Sequence, residues 1–239
     1  MGYYYPGYVG LLDYWYLILV VPALLLSLWA QYKVKSTFSK YSQKRVTSGM
    51  TGAGISRYIQ QVNGIHTDVQ AVGGELSDHF DPRTNVIRLS EGVYDRSSVA
   101  AIGVAAHETG HALQHAQQYL PVKIRTAMVP VTNFASGISP VLILLGMLLN
   151  IDNLAYIGIG LFSVAALFQL VTLPVEFNAS SRAVAALEQS GQFTEEELAG
   201  VKKVLTAAAL TYVAALLVSV MTILRYILLI GGGNSRRRR

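Results

Sequence analysis

Charge is scarce in this chain: 19 Lys+Arg and 14 Asp+Glu make up 14% of 239 residues, against roughly a quarter in an ordinary soluble domain. The shortage is local. Four stretches carry neither a charged residue nor a histidine: Tyr14–Tyr32, Thr126–Ile151, Asn153–Val175 and Val204–Leu224, each 19 to 26 residues long. About 20 helical residues cross a hydrocarbon core of about 30 Å. Disorder, collagen and coiled coil are therefore excluded, and four buried soluble helices would need more covering surface than the remaining residues supply. Cysteine is absent, which excludes a disulfide framework and leaves histidine and carboxylate to hold any metal. No ionisable residue interrupts the apolar runs before Arg225, so a transporter would lack the groups that ion and proton pathways use. No basic residue precedes the first run, as a cleaved signal peptide requires, and Pro6 stands where a myristoylation signal needs Ser or Thr. No internal repeat is visible.

What is present divides the chain into five parts. Residues 1–32 form an N-terminal segment and a first transmembrane helix, with Tyr14, Trp15 and Trp29 suited to an interfacial aromatic belt and Pro22 predicting a kink. Residues 33–125 open with Lys33, Lys35, Lys40, Lys44 and Arg45, which read as a positive-inside signal; no interleaved aromatics support nucleic-acid binding. Within this part, Ile55, Ile59 and Val62 predict an amphipathic helix over 51–62 that ends at Gly64. Alternation over 65–72 predicts a strand stopped by Gly73-Gly74, and 78–90 reads as a tight turn leading into a short strand. A long helix is expected from Arg96 to about Gln118, capped by Ser97 or Ser98. Residues 126–173 form a transmembrane hairpin of helices 2 and 3, joined at Asp152. In residues 174–204, Pro174 is expected to begin a helix ended by Gly191, and Thr194–Glu197 is a capping box for the next one. Residues 205–239 supply transmembrane helix 4 and the basic tail Arg236–Arg239.

The chemistry lies in His107-Glu108-Thr109-Gly110-His111, an H-E-x-x-H on a predicted helix. Composition alone would produce about 0.003 such motifs in this chain. Residues four apart share one helix face about 6 Å apart, so both imidazoles can reach one zinc ion. Glu108, 100° around the axis, falls beside the metal, where it can take a proton from water. Two histidines do not fix a catalytic zinc. His115 is about 12 Å along the axis from His107, too far to converge, and Gln114 and Gln117 stand where a metzincin has glycine and histidine. Glu176 is the better candidate for third ligand, because two spanning runs separate it from His111 and so return it to the same side of the membrane. By itself Glu176 could equally be a carboxylate complementing a helix dipole.

These residues carry a resemblance. Asp78-His79-Phe80-Asp81-Pro82-Arg83, Ser90–Tyr94, His107–His115 and Pro174–Ser180 together resemble the bacterial neutral zinc metallopeptidases typified by YugP. More distantly they resemble the membrane gluzincins, including the HtpX heat-shock proteases and the CAAX-prenyl endopeptidases. The resemblance implies His107, His111 and Glu176 as ligands of one catalytic Zn2+ and Glu108 as general base. The distant relatives carry Asp four residues after the third ligand, where this chain has Ser180; Asn178, Ser180 and Ser181 are the candidates to orient a ligand histidine in its place. For the oxyanion, Arg182, His79 and Tyr94 are candidates.

The expected fold is a mostly α membrane protein with about four transmembrane helices and a small α+β zincin-type catalytic domain, the HExxH helix plus a short sheet. The expected function is a membrane-bound zinc metalloendopeptidase using a zinc-activated water, acting on a peptide or protein substrate, membrane proteins included. An extended substrate is expected along an edge of the strand at Asn85–Leu89. The alternative is a non-enzymatic scaffold or chaperone with a structural metal site. Partners besides substrate are the lipid bilayer and no nucleic acid. Eleven of the 19 basic residues lie in 33–125 and three in 174–204, so the positive-inside rule places the catalytic segments in the cytoplasm of a multi-pass cell-membrane protein. Four full crossings would then carry Arg236–Arg239 outside, against the same rule, which leaves open a re-entrant or in-plane fourth run, an exceptional tail or the reverse orientation.

Overall fold

The computed structural model describes residues 13–237, with side chains through residue 231. The expectations for residues 1–12 and for the side chains of the arginine tail lie outside the described residues. The chain divides into two compact units. One takes in the residues through Trp29, Ile124–Thr172 and those from Thr211 onward; the other takes in Ala30–Lys123 and Leu173–Leu210.

The first unit is helical because lipid offers no partner for backbone N–H and C=O groups, so each spanning segment must pair its own. A π-turn at Tyr16–Val20 leads into α1 (Val21–Ser42); α4 (Leu120–Leu148), α5 (Asp152–Ser190) and α6 (Glu195–Arg237) follow later in the chain. All four helices are long and apolar enough to cross a membrane. The π-turn ends just before Pro22, with Val21 N–H bonding Tyr16 O. α4 and the start of α5 form the expected hairpin. A Cβ on Gly146 would come within 2.4 Å of Ala155 N, and one on Gly158 within 2.8 Å of Ile143 N, so glycine permits this backbone approach.

One expectation is corrected. Pro174 does not begin a helix: α5 runs through it without interruption, as α4 runs through Pro130 and Pro140. Proline forfeits one hydrogen bond, whereas ending the helix there would orphan several backbone groups. The fourth apolar run lies within one continuous helix. Near its end, Arg225 Nε donates to Asp13 Oδ2 at 2.8 Å, and Asp13 Oδ1 accepts from Tyr16 N–H at the start of the first span. The Arg225 guanidinium also lies 5.1 Å from the ring centres of Tyr16 and Tyr226. The meeting of the start of the first span with the end of the fourth is what an even number of crossings requires.

The second unit is built from polar and short elements. α2 (Gly52–Val62) is capped by Thr51, whose hydroxyl accepts from Gly54 N–H; α3 (Val99–Ala116) is capped by Ser98 in the same way at Ala101. At the head of α6 the capping box is complete, with Glu197 N–H on Thr194 Oγ1 and Thr194 N–H on Glu197 Oε2. Three strands form one sheet in the order β1-β3-β2: β1 (Asp68–Val72), β2 (His79–Asp81) and β3 (Val86–Ser90). β3 pairs parallel with β1 and antiparallel with β2, with Phe80 opposite Ile87. The expected single strand within 78–90 is therefore a hairpin. The expected docking edge on 85–89 does not exist, because β3 is hydrogen-bonded on both sides; the outer edges belong to β1 and β2. Val86, Ile87, Leu89 and Ser90 are buried, and Ile87 and Leu89 join Ile55 and Ile59 of α2 and Val99, Ile102 and Ala105 of α3 in the core.

Candidate metal centre

His107, Glu108 and His111 lie on α3, whose preceding turns are alanine-rich and buried. Thr109 points away from them into the core, where its hydroxyl donates to Ala105 O at 2.7 Å and pairs with Ser56 Oγ at 2.8 Å. Gly110 makes the centre possible: a Cβ there would stand 2.6 Å from Ala179 O on α5. Only glycine lets the two backbones approach this closely, and the approach sets Glu176 against the histidine pair.

The structure brings His107, His111 and Glu176 together, one donor atom from each lying within 4.8 Å of the others. His107 Nε2 is 3.3 Å and His111 Nε2 is 3.5 Å from Glu176 Oε2. Donors around a tetrahedral zinc, with bonds of about 2.0–2.1 Å, stand about 3.3 Å apart. Two neutral imidazoles and a carboxylate are also zinc's preferred oxygen and nitrogen donors, so the residues fit the ion. The two imidazoles meet edge to face with centres 4.7 Å apart. Both side chains are 15% exposed and that of Glu176 only 4%. Burial disfavours a charged His111, but the hydrogen bond to Glu176, with the Glu108 charge nearby, lifts its pKa above the ordinary imidazole value.

Each histidine has a partner on its other ring nitrogen. Ser180 Oγ lies 3.1 Å from His107 Nδ1, one helical turn after Glu176 and at the position where distant relatives place Asp. Gln114 Oε1 lies 3.0 Å from His111 Nδ1. Gln114 is fully buried, and sequence reasoning used it only to exclude a metzincin; its place three residues after His111, on the same helix face, was the available signal. Asn178 Oδ1 accepts from Gln114 Nε2 and from Arg182 Nε. Arg182 also donates to Gln117 Oε1 and lies over the Tyr119 ring.

Glu108 is held by a backbone group that the sequence did not single out. Phe80 N–H of β2 donates to its Oε2 at 2.9 Å, while the Phe80 ring packs against His115 at 5.7 Å. His115 is exposed and lies outside the three-residue donor cluster. Asp78 anchors the entry to β2 by accepting from Ser90 N–H at 2.7 Å and from Ser90 Oγ. Burial raises its carboxyl above the usual aspartate value against the pull of those bonds. Of the other two oxyanion candidates, His79 Nδ1 contacts Ser77 O, and Tyr94 Oη accepts from Arg57.

Comparison with known proteins agrees with this chemistry. The model of a family described as "Putative neutral zinc metallopeptidase" matches residues 16–231. The chain is 52% identical over 220 residues, 92% of its own length and 98% of the relative's, to a Bacillus subtilis (strain 168) protein named "Putative membrane protease YugP". No solved structure matches.

Proposed function

Because this chain belongs to the neutral zinc metallopeptidase family, we propose that this zinc-dependent peptide hydrolase is a membrane endopeptidase with Glu108 as its general base. The observation that carries the reading is the spacing of His107, His111 and Glu176, which matches the edges of a zinc coordination tetrahedron, with a glutamate following the first histidine. Zinc held by these three residues would supply Lewis acidity, polarising the scissile carbonyl and making water nucleophilic at neutral pH. Glu108 takes one proton from the attacking water as the water oxygen bonds to the carbonyl carbon. The same carboxyl delivers that proton to the nitrogen of the leaving amine as the C–N bond breaks. Phe80 N–H steadies one oxygen of Glu108 and leaves the other to receive the proton.

Zinc content and casein cleavage test this reading. Glu108→Gln is expected to keep zinc and lose at least a hundredfold in turnover, the scale of a removed general base. Full turnover in that variant would sink the assignment, and wild-type zinc binding without any turnover would favour a structural metal site. The substrate is a peptide or protein, membrane proteins included, since the chain itself is embedded. The catalytic segments face the cytoplasm in this reading, supported by 11 basic residues in 33–125. Protease protection of a C-terminal tag, combined with a cysteine scan of that segment, checks the orientation.

A further inference from the structure

We propose that Gln114 is a positioning residue that sets the tautomer of His111 and ties the third-ligand segment to the HExxH helix; the inference rests on the hydrolase reading above. The argument begins at atoms whose roles cannot be exchanged. Val175 O can only accept, so the Gln114 atom 2.8 Å from it must be the amide nitrogen. The opposite atom is then the oxygen, and it faces His111 Nδ1 at 3.0 Å. An oxygen there accepts, so Nδ1 carries a hydrogen and Nε2, 3.5 Å from Glu176 Oε2, is left as the nitrogen that can ligate a metal. Arg182 secures the far end in the same manner. It has no acceptor, so the Asn178 atom that receives its Nε at 2.7 Å is the oxygen, which also receives Gln114 Nε2 at 3.0 Å. Gln114 thus bonds Val175 and Asn178, on either side of Glu176, and the second histidine of the motif. It is 0% exposed, so water does not compete for these bonds.

The test replaces Gln114 with methionine, which fills a similar volume and makes none of these bonds, in the full-length protein in detergent. Zinc affinity is expected to fall 10- to 100-fold, the usual cost of losing a partner that orients a ligand, with helical content unchanged by circular dichroism. Proton and nitrogen chemical shifts of the zinc-loaded protein give a readout that a merely structural role would not move: the His111 Nδ1–H of the wild type is hydrogen-bonded to Gln114, and its proton resonance moves upfield in Gln114→Met. Should Gln114→Met not fold, Asn178→Ala loosens Gln114 from the opposite side and is expected to cost about threefold in zinc affinity, with part of the same upfield shift. Unchanged zinc affinity and an unchanged His111 Nδ1–H resonance in a folded variant overturn the proposal. A folded wild type that neither binds zinc nor cleaves casein overturns the hydrolase reading instead.

Discussion

The two units of this molecule satisfy their polar groups in opposite ways. In the membrane unit the side-chain hydroxyls turn back on their own helices: Ser163 donates to Ile159 O, and Thr172 and Thr222 each donate to the carbonyl four residues before. The long-range ion pair described there is Asp13–Arg225. In the other unit polar side chains join distant parts of the chain: Thr47 N–H to Glu197, Thr109 to Ser56, Gln114 to Val175. Lipid rewards a helix that is complete in itself, whereas a metal centre needs donors fixed to within about half an ångström by their surroundings. Precision at the centre therefore belongs to the polar unit.

Glycine substitutions offer the sharpest way to break this contrast. Gly110→Ala would set a Cβ 2.6 Å from Ala179 O, with backbone on both sides and no flexible atom to give way. Parting α3 from α5 there is expected to lower zinc affinity and casein cleavage by more than a hundredfold, measured by metal titration and turnover; near-normal affinity would show that the close approach is dispensable. Next in size is Asp13→Leu, which leaves Arg225 without its carboxylate. Removing one partner of a fully buried pair costs about 3–5 kcal/mol and of a partly buried one less, so detergent unfolding should show a clear loss, and Asp13→Leu with Arg225→Leu should recover part of it. Gly146→Ala repeats the glycine change in the membrane unit, 2.4 Å from Ala155 N. Overpacking of this kind costs about 1–3 kcal/mol, and here the expected result is lower stability with zinc affinity within twofold of wild type. If Gly146→Ala also removed zinc binding, the division of labour would fail.

The smallest effect concerns pH. Asp81 accepts from Thr84 Oγ1, Arg88 Nη1 and Arg83 N–H, and these bonds hold its carboxyl well below the usual aspartate value. A lowered pKa in the folded state means stability that is present above the ordinary value of about 3.9 and is lost as pH falls below it. Thermal unfolding between pH 3 and 6 should therefore show a modest acid-side loss in the wild type that Asp81→Asn flattens.

Much of the membrane unit was legible because its rule is simple: an uncharged run of sufficient length becomes a helix, and four runs became α1, α4, α5 and α6. Local caps were legible for the same reason, as Ser98 and Thr194–Glu197 satisfy donors within their own first turn. What sequence reasoning missed depends on distant partners. β2 is three residues long, too short for any alternation to reveal, and exists because β3 lies beside it. Pro174 was misjudged because a helix that ended there would orphan more backbone groups than the one hydrogen bond a proline forfeits. The H-E-x-x-H spacing pointed to one helix face, but nothing in the spacing announced that Phe80 N–H would hold Glu108.

The Asp13–Arg225 pair has a consequence for biosynthesis. The two residues are 212 positions apart in the chain, so the aspartate at the head of the first span waits for its guanidinium until nearly the whole protein has been made. At about 5–20 residues per second, that interval is roughly 10–40 s. Until then the Asp13 carboxyl lacks the guanidinium that only the last helix supplies.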